Sequence, residues 1–238
     1  MTNQEMHDAL YNDLRLYHYP IAVKYLFEDG AVADFEARTA EYVVPTKAMT
    51  FCQWEIAARM KGQIVLGRKD DLNCANAKFV LGWSPMSDAE IKSHEKYTRD
   101  LAQAERFVKT KARLPEGALK AVVVAPLFAA DFVPDTVHFY VDNMQAYHLC
   151  VDYMAAMDIH PLRTNITMNS SACAGNVYAY LERSANLLPA CSGSYNAGKT
   201  ERGEINFICP GDGFPGADVC KNCPLIVFKK GQKAGITE

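Results

Sequence analysis

Long apolar runs are missing from this sequence of 238 residues. A membrane-spanning helix needs about 18 to 20 consecutive apolar residues, and no stretch approaches that length. The first 16 residues are polar and acidic, without the basic and then apolar order of a secretory signal peptide. We therefore expect a cytoplasmic protein with no membrane partner.

A strong excess of charge of either sign is also missing. The formal net charge is −3, so the composition gives no indication of a nucleic-acid partner. Apolar residues make up 49% of the chain, which is ordinary for a folded globular protein. The partner that these numbers leave open is a small-molecule ligand or a redox protein, and a homo-oligomer is equally open.

Common catalytic motifs are absent as well. The six histidines show neither H-x-x-x-H nor H-E-x-x-H spacing, and there is no G-x-S-x-G. Residues Gly193 to Thr200 do match the P-loop pattern, but Gly203 and a β-type run follow, where a P-loop needs a helix. We interpret this segment as a polar loop, in which Lys199 and Arg202 are candidates to bind an anionic ligand.

Cysteine, by contrast, is plentiful, with eight residues. In a reducing compartment these thiols favour metal or catalytic chemistry over structural disulfides. The segment from Cys209 to Pro224 holds three cysteines, three glycines and three prolines, so it has no apolar face on which to fold. Its Cys220-x-x-Cys223 spacing lets two thiolates bind one ion. The candidate metal ligands of this region are Cys191, Cys209, Cys220 and Cys223, enough for a zinc ion or a 4Fe-4S cluster.

Apolar periodicity predicts strands that alternate with helices, which indicates an α/β fold. We expect one domain over residues 1–238, with a mixed sheet flanked by helices and an irregular Cys/Gly/Pro-rich C-terminal tail in which residues 209–224 form a metal or cluster loop. The main predicted helices are 3–16, 46–61, 74–81, 87–111, 143–157 and 172–184. The predicted strands are 20–27, 63–66, 119–127, 136–141, 187–190, 205–209 and 225–228.

Several short motifs resemble one family of proteins. They are Asp13-Leu-Arg-Leu16 before Pro20-Ile-Ala-Val-Lys24, Cys52-Gln53 before Ala57-Ala58-Arg59, Cys74 after Lys69-Asp70-Asp71, Val122-Val-Val-Ala-Pro-Leu127 with Asp131-Phe132, and Cys173 at a helix start. In these features the chain resembles domain of unknown function 169, a family of bacteria and archaea that is common among anaerobes. The resemblance implies an α/β fold and leaves the activity open. It also implies that Cys52, Cys74 and Cys173 stand where the family tends to have cysteine, whereas the tail cysteines lie outside the shared pattern.

These three cysteines form a second candidate site for a cofactor. The first turn of a helix favours the thiolate of Cys173, because free N–H groups and the helix dipole stabilise a negative charge there. Three thiolates can hold an iron–sulfur cluster with one iron left open for a substrate. The alternative for each of them is a buried structural thiol, and Cys150 on an apolar helix stripe is interpreted in that way.

The sequence thus supports three hypotheses. We favour a 4Fe-4S protein for electron transfer, or for redox or Lewis-acid chemistry on a small molecule, because Pro224 follows the cysteine pair, the thiols exceed one zinc site, and the resemblance points to anaerobes. A ligand-binding protein with a structural zinc site is the alternative, and a thiol enzyme that uses Cys173 is the third. The sequence leaves open whether the cysteines form one site or two.

Overall fold

The centre of the structure, a computed structural model that describes residues 2–38, 48–167 and 169–211, is an antiparallel sheet of six strands. The strand order across the sheet is β2-β3-β1-β4-β6-β5. The strands are β1 (Ile21–Leu26), β2 (Val65–Gly67), β3 (Ala121–Pro126), β4 (Thr136–Val141), β5 (Asn186–Pro189) and β6 (Ile205–Pro210).

Helices cover both faces of this sheet. The helices are α1 (Asn3–Leu14), α2 (Asp29–Arg38), α3 (Phe51–Lys61), α4 (Ala75–Val80), α5 (Asp88–Lys92), α6 (Leu101–Lys109), α7 (Asn143–Met157), α8 (Ser171–Glu182) and α9 (Ser192–Asn196). Three 3₁₀ turns lie at Lys69–Asp71, Ser93–Tyr97 and Leu127–Ala129. No helix within the described ranges is long and apolar enough to cross a membrane.

Side chains of the strands alternate between two apolar cores, because successive residues of a strand point to opposite faces. Ala121, Val123 and Ala125 of β3 pack in the core shared with α1, α2 and α7. Val122 and Val124 pack in the core shared with α3, α4 and α8. We call these the α1/α7 side and the α3/α8 side of the sheet.

The α/β fold class predicted from the sequence is confirmed, with one correction. The sheet is antiparallel in every described pairing of its strands, and not mixed. A strand with a continuous apolar run indicates that both faces of the sheet are covered, and helices do cover both faces here. The run does not reveal whether neighbouring strands are parallel or antiparallel.

Two helix boundaries also differ from expectation. The long helix predicted over 87–111 is divided into α5, a 3₁₀ turn and α6, and Asp100 caps α6 by accepting a hydrogen bond from the N–H of Gln103 at 2.7 Å. Helix α3 has its N-cap at Thr50, in a capping box with Gln53. The predicted start of this helix at residue 46, the predicted strand 225–228 and most of the 209–224 loop lie outside the described residues.

A buried hydrogen-bond network joins α3 and α8 to the sheet. The carboxylate of Glu55 on α3 contacts His138 Nδ1 at 2.7 Å and accepts from the Tyr140 hydroxyl, and both partners belong to β4. His138 Nε2 lies 2.9 Å from Asn206 Oδ1, an atom that can only accept, so Nε2 carries a proton. Asn176 on α8 donates to Glu55 Oε1 at 3.3 Å and accepts from the Thr136 hydroxyl at 2.6 Å.

Replacing Glu55 by Ala should destabilise the fold strongly. The change leaves the ring of His138 and the hydroxyl of Tyr140 without their buried acceptor, and breaking a buried pair of this kind costs about 3–5 kcal/mol of unfolding free energy. Glu55→Gln should cost less, because the amide oxygen still accepts one bond.

Urea unfolding of both variants measures this effect, with Glu105→Ala on the exposed face of α6 as the control. A midpoint for Glu55→Ala equal to that of the control would contradict the role given to the network.

Candidate functional site

Four cysteines that are distant in sequence line one pocket on the α3/α8 side. The cavity has a volume of about 170 Å³ and is bordered by segments from five parts of the chain. Its cysteines are Cys52, Cys74, Cys173 and Cys191. The structure therefore brings together the three cysteines predicted as one cofactor site, and it adds Cys191 to them.

Each of these cysteines stands at the beginning of a helix. Cys52 is the second residue of α3 and Cys173 the third residue of α8, while Cys74 and Cys191 are the N-cap residues of α4 and α9. Backbone N–H groups in a first helical turn have no partner within the helix, so they are available to a sulfur that carries negative charge.

Backbone contacts to two of the sulfurs follow this pattern. The N–H of Ser194 donates to Cys191 Sγ at 3.4 Å. The N–H groups of Asn76 and Ala77 oppose the rise that burial causes in the pKa of the Cys74 thiol. Backbone N–H groups of the protein are thus in place to donate hydrogen bonds to thiolates at Cys191 and Cys74.

The local sequence explains why α8 and α9 meet at this point. Ser170 adopts a left-handed conformation (φ 68°) directly before α8, and its carbonyl accepts a weak hydrogen bond from the Cys173 thiol at 3.6 Å. The Ser171 hydroxyl accepts from the backbone N–H of Cys191 at 2.8 Å. The Ser171 hydroxyl therefore holds the start of α9 against the start of α8.

Burial sets the protonation of three of these thiols in the absence of a bound cation. It raises the pKa of Cys52 and of Cys173 well above the ordinary thiol value, and it also raises the pKa of Cys74. These three isolated thiols are therefore neutral near pH 7. A metal that binds here must displace their protons.

A buried cation lies behind the cysteines. Lys111 follows α6 and is only 5% exposed. Its ammonium donates to Asn76 Oδ1 at 2.6 Å and to His94 Nε2 at 3.3 Å. Burial lowers the pKa of Lys111 to about 8, and the nearby sulfurs of Cys173, Cys74 and Cys191 oppose that fall.

The remaining pocket wall is largely polar. His94 Nδ1 lies 2.8 Å from the Glu90 carbonyl, and Asn169 Nδ2 lies 2.8 Å from His94 Nε2. The other polar side chains that line the cavity are Thr50, Asn76, Ser93, Lys96, Tyr97, Ser170 and Ser192.

The other cysteines lie elsewhere or outside the described residues. Cys209 on β6 is fully buried on the α1/α7 side, where its thiol donates to the Val137 carbonyl at 3.7 Å. Because side chains alternate along β6, Cys209 faces the side of the sheet opposite the pocket that holds Cys191. The structure therefore does not bring these two predicted ligands together. Cys150 packs on α7 at the edge of the same core, as expected from its stripe. Cys220 and Cys223 are among the residues that the structure does not describe.

The P-loop match has no P-loop geometry. The short helix α9 lies inside the matched segment, before Lys199, and residues 201–204 form a turn that leads into β6. The loop instead packs against the cysteine pocket, because Gly198 lies directly beside Cys52. Its carbonyl and that of Lys199 accept hydrogen bonds from Arg59 at 2.7 and 2.9 Å.

The described side chains are not arranged as a preformed site for one metal ion. Across residues 2–38, 48–167 and 169–211, no group of three or more His, Cys, Asp or Glu side chains could hold one. The four cysteines share the lining of one cavity.

Replacing Gly198 by Ala should disturb this pocket. A Cβ at that position would lie 2.5 Å from the Ser194 carbonyl oxygen and 2.7 Å from the Cβ of Cys52, so the loop or α3 must shift. Overpacking of this kind costs about 1–3 kcal/mol of unfolding free energy.

Urea unfolding checks this prediction, and Gly30→Ala on α2 is the matched control, because a Cβ there meets nothing within 4 Å. Equal stability of the two variants would show that the approach of the loop to Cys52 is not tight.

Comparisons with known proteins give a family. The family model for domain of unknown function 169, described as uncharacterised ArCR, matches residues 9–233. Searches of curated proteins and of solved structures give no match. Because the family model covers nearly the whole chain, the protein belongs to the domain of unknown function 169 family.

Proposed function

We propose that this protein binds a 4Fe-4S cluster through Cys52, Cys74, Cys173 and Cys191 and transfers electrons in the cytoplasm. The observation that carries the proposal is the convergence of these four thiols, from positions spread over 140 residues of sequence, on one pocket. Four cysteine thiolates are the ordinary ligand set of such a cluster.

The arrangement of the thiols favours a cluster over a single zinc ion. A structural zinc site needs four sulfurs at about 2.3 Å from one centre. In a 4Fe-4S cluster each thiolate binds its own iron, so the sulfurs lie farther apart around a larger body. The described cysteines share one cavity, and no group among the described residues is suited to a single ion, so the zinc alternative has no preformed site there.

The protein would supply hydrogen-bond donors to the thiolates and would exclude water from the cluster. The first-turn N–H groups of α3 and α8, with the Ser194 N–H at Cys191, would stabilise the negative charge of the thiolates. Burial of Cys52, Cys173 and Cys191 would keep water from the sulfurs. When bound, the cluster would supply one-electron transfer.

Full cysteine ligation bears on the kind of chemistry. With four thiolates every iron has a protein ligand, and none is left open for a substrate. Electron exchange with a redox partner is therefore favoured over Lewis-acid chemistry on a small molecule.

The two other hypotheses have less support. A thiol enzyme needs a cysteine that is ionised near neutral pH, whereas burial raises the pKa of Cys173 well above the usual range. A zinc knuckle at Cys220 and Cys223 stays a prediction about residues outside the described part of the chain.

Protein purified without oxygen should be brown and contain about four irons and four acid-labile sulfides per chain. Single changes of Cys52, Cys74, Cys173 or Cys191 to Ala should each remove most of the iron, because each would delete one ligand. Cys150→Ala is the matched control, since this thiol packs beside the opposite core and should leave the iron content unchanged.

Two outcomes would contradict the proposal. One is colourless protein with about one zinc per chain, which would favour the structural zinc site. The other is iron that is lost only in Cys220→Ala and Cys223→Ala, which would move the cluster to the tail.

Alkylation of metal-free protein tests the thiol-enzyme hypothesis separately. Because a raised pKa leaves little thiolate at neutral pH, iodoacetamide should modify Cys173 far more slowly at pH 7 than it modifies a free cysteine in a peptide. The modified site is identified by mass spectrometry of tryptic fragments. Faster modification of Cys173 than of the peptide would favour the thiol enzyme.

A further inference from the structure

Lys111 is a buried cation whose direct partners are neutral. Its side chain is nearly inaccessible, and burying an ammonium is unfavourable unless an anion or several acceptors compensate it. Among the ion pairs of the described residues, none joins Lys111 to a carboxylate. Its close contacts are the amide of Asn76 and the ring of His94.

The hydrogen bonds of His94 show why its ring is a neutral acceptor. Nδ1 faces the carbonyl of Glu90, which can only accept, so Nδ1 carries the proton. Nε2 then presents its lone pair to Lys111 Nζ and to Asn169 Nδ2. The ring positions the ammonium without providing a negative charge.

The groups that could provide that charge are the cysteines. Asn76 and His94, which hold Lys111, both line the pocket with the four thiols. Of these thiols, Cys74, Cys173 and Cys191 are close enough for their charge to act on Lys111. A buried cation beside this pocket, with no carboxylate partner among the described ion pairs, gains a counter-charge when the four cysteines bind a cluster as thiolates.

We propose that Lys111, held by Asn76 and His94, compensates the negative charge of the four-cysteine site and raises the reduction potential of the cluster bound there. The inference rests on the proposed function. Reduction adds one negative charge to the cluster, and a nearby positive charge in a poorly solvated interior stabilises that reduced state. Lys111 thus acts on the cluster through its charge.

The test is a redox titration of the cluster in full-length protein, with dye mediators and dithionite as reductant. In Lys111→Met the ratio of reduced to oxidised cluster, measured at the wild-type midpoint, should fall at least tenfold, which corresponds to 59 mV for a one-electron couple. Lys111→Arg should stay near the wild-type value, because the charge is kept.

Lys109→Met is the matched control, since this lysine lies two residues away on an exposed surface of α6 and should leave the ratio unchanged. A Lys111→Met protein that holds the cluster with the wild-type midpoint would overturn the inference while leaving the proposed function intact. Wild-type protein without a cluster would overturn both.

Loss of the cluster itself is also informative. If Lys111→Met folds but holds no iron while Lys111→Arg holds a full complement, the charge is required for binding, which supports the compensating role given to Lys111. If both variants fold and both lose iron, the shape of the lysine matters and not its charge, which overturns the inference. Circular dichroism and urea unfolding establish folding in each case.

Discussion

The structure depends on the buried contact between Glu55 and His138. Each of the two long helices at the pocket places a cysteine in its first turn and a network residue three positions later: Cys52 precedes Glu55, and Cys173 precedes Asn176. The cysteine and the network residue of each helix are about one turn apart. The hydrogen bonds that fix the helix to β4 therefore also fix the position of its cysteine relative to the sheet. A shift of either helix would break buried polar contacts, which makes the position of the thiols costly to change.

The pocket combines features that favour negative charge. Four sulfurs lie at helix beginnings, backbone N–H groups face two of them, and Lys111 lies behind the wall. The same burial that keeps the isolated thiols of Cys52, Cys74 and Cys173 neutral would exclude water from a filled site. The pocket disfavours ionisation of a free thiol but can stabilise a thiolate that is bound to a metal. This contrast is the physical basis of the proposed cluster.

The sequence predicted the fold better than it predicted the site. Strand β3 was predicted within 119–127, and β4 and α7 were predicted with the bounds that the structure shows, because local patterns determine them. The grouping of the cysteines was only partly predictable. The resemblance placed Cys52, Cys74 and Cys173 together, but spacing assigned Cys191 to the tail set, since distance along the chain says nothing about which side of a sheet a residue faces. Successive side chains of β6 face opposite sides of the sheet, and this alternation places Cys209 in the core on the α1/α7 side. Its side of the sheet is known only once the pairing of β6 is known. Lys111 gave no sequence signal, because a lysine after a helix is normally exposed.

The most direct measurement is an anomalous-diffraction experiment on crystals grown without oxygen, with data collected on both sides of the iron absorption edge. The account predicts anomalous density for iron inside the pocket, at bonding distance from the sulfurs of Cys52, Cys74, Cys173 and Cys191. Iron density beside Cys220 and Cys223, with none beside the four pocket cysteines, would contradict it.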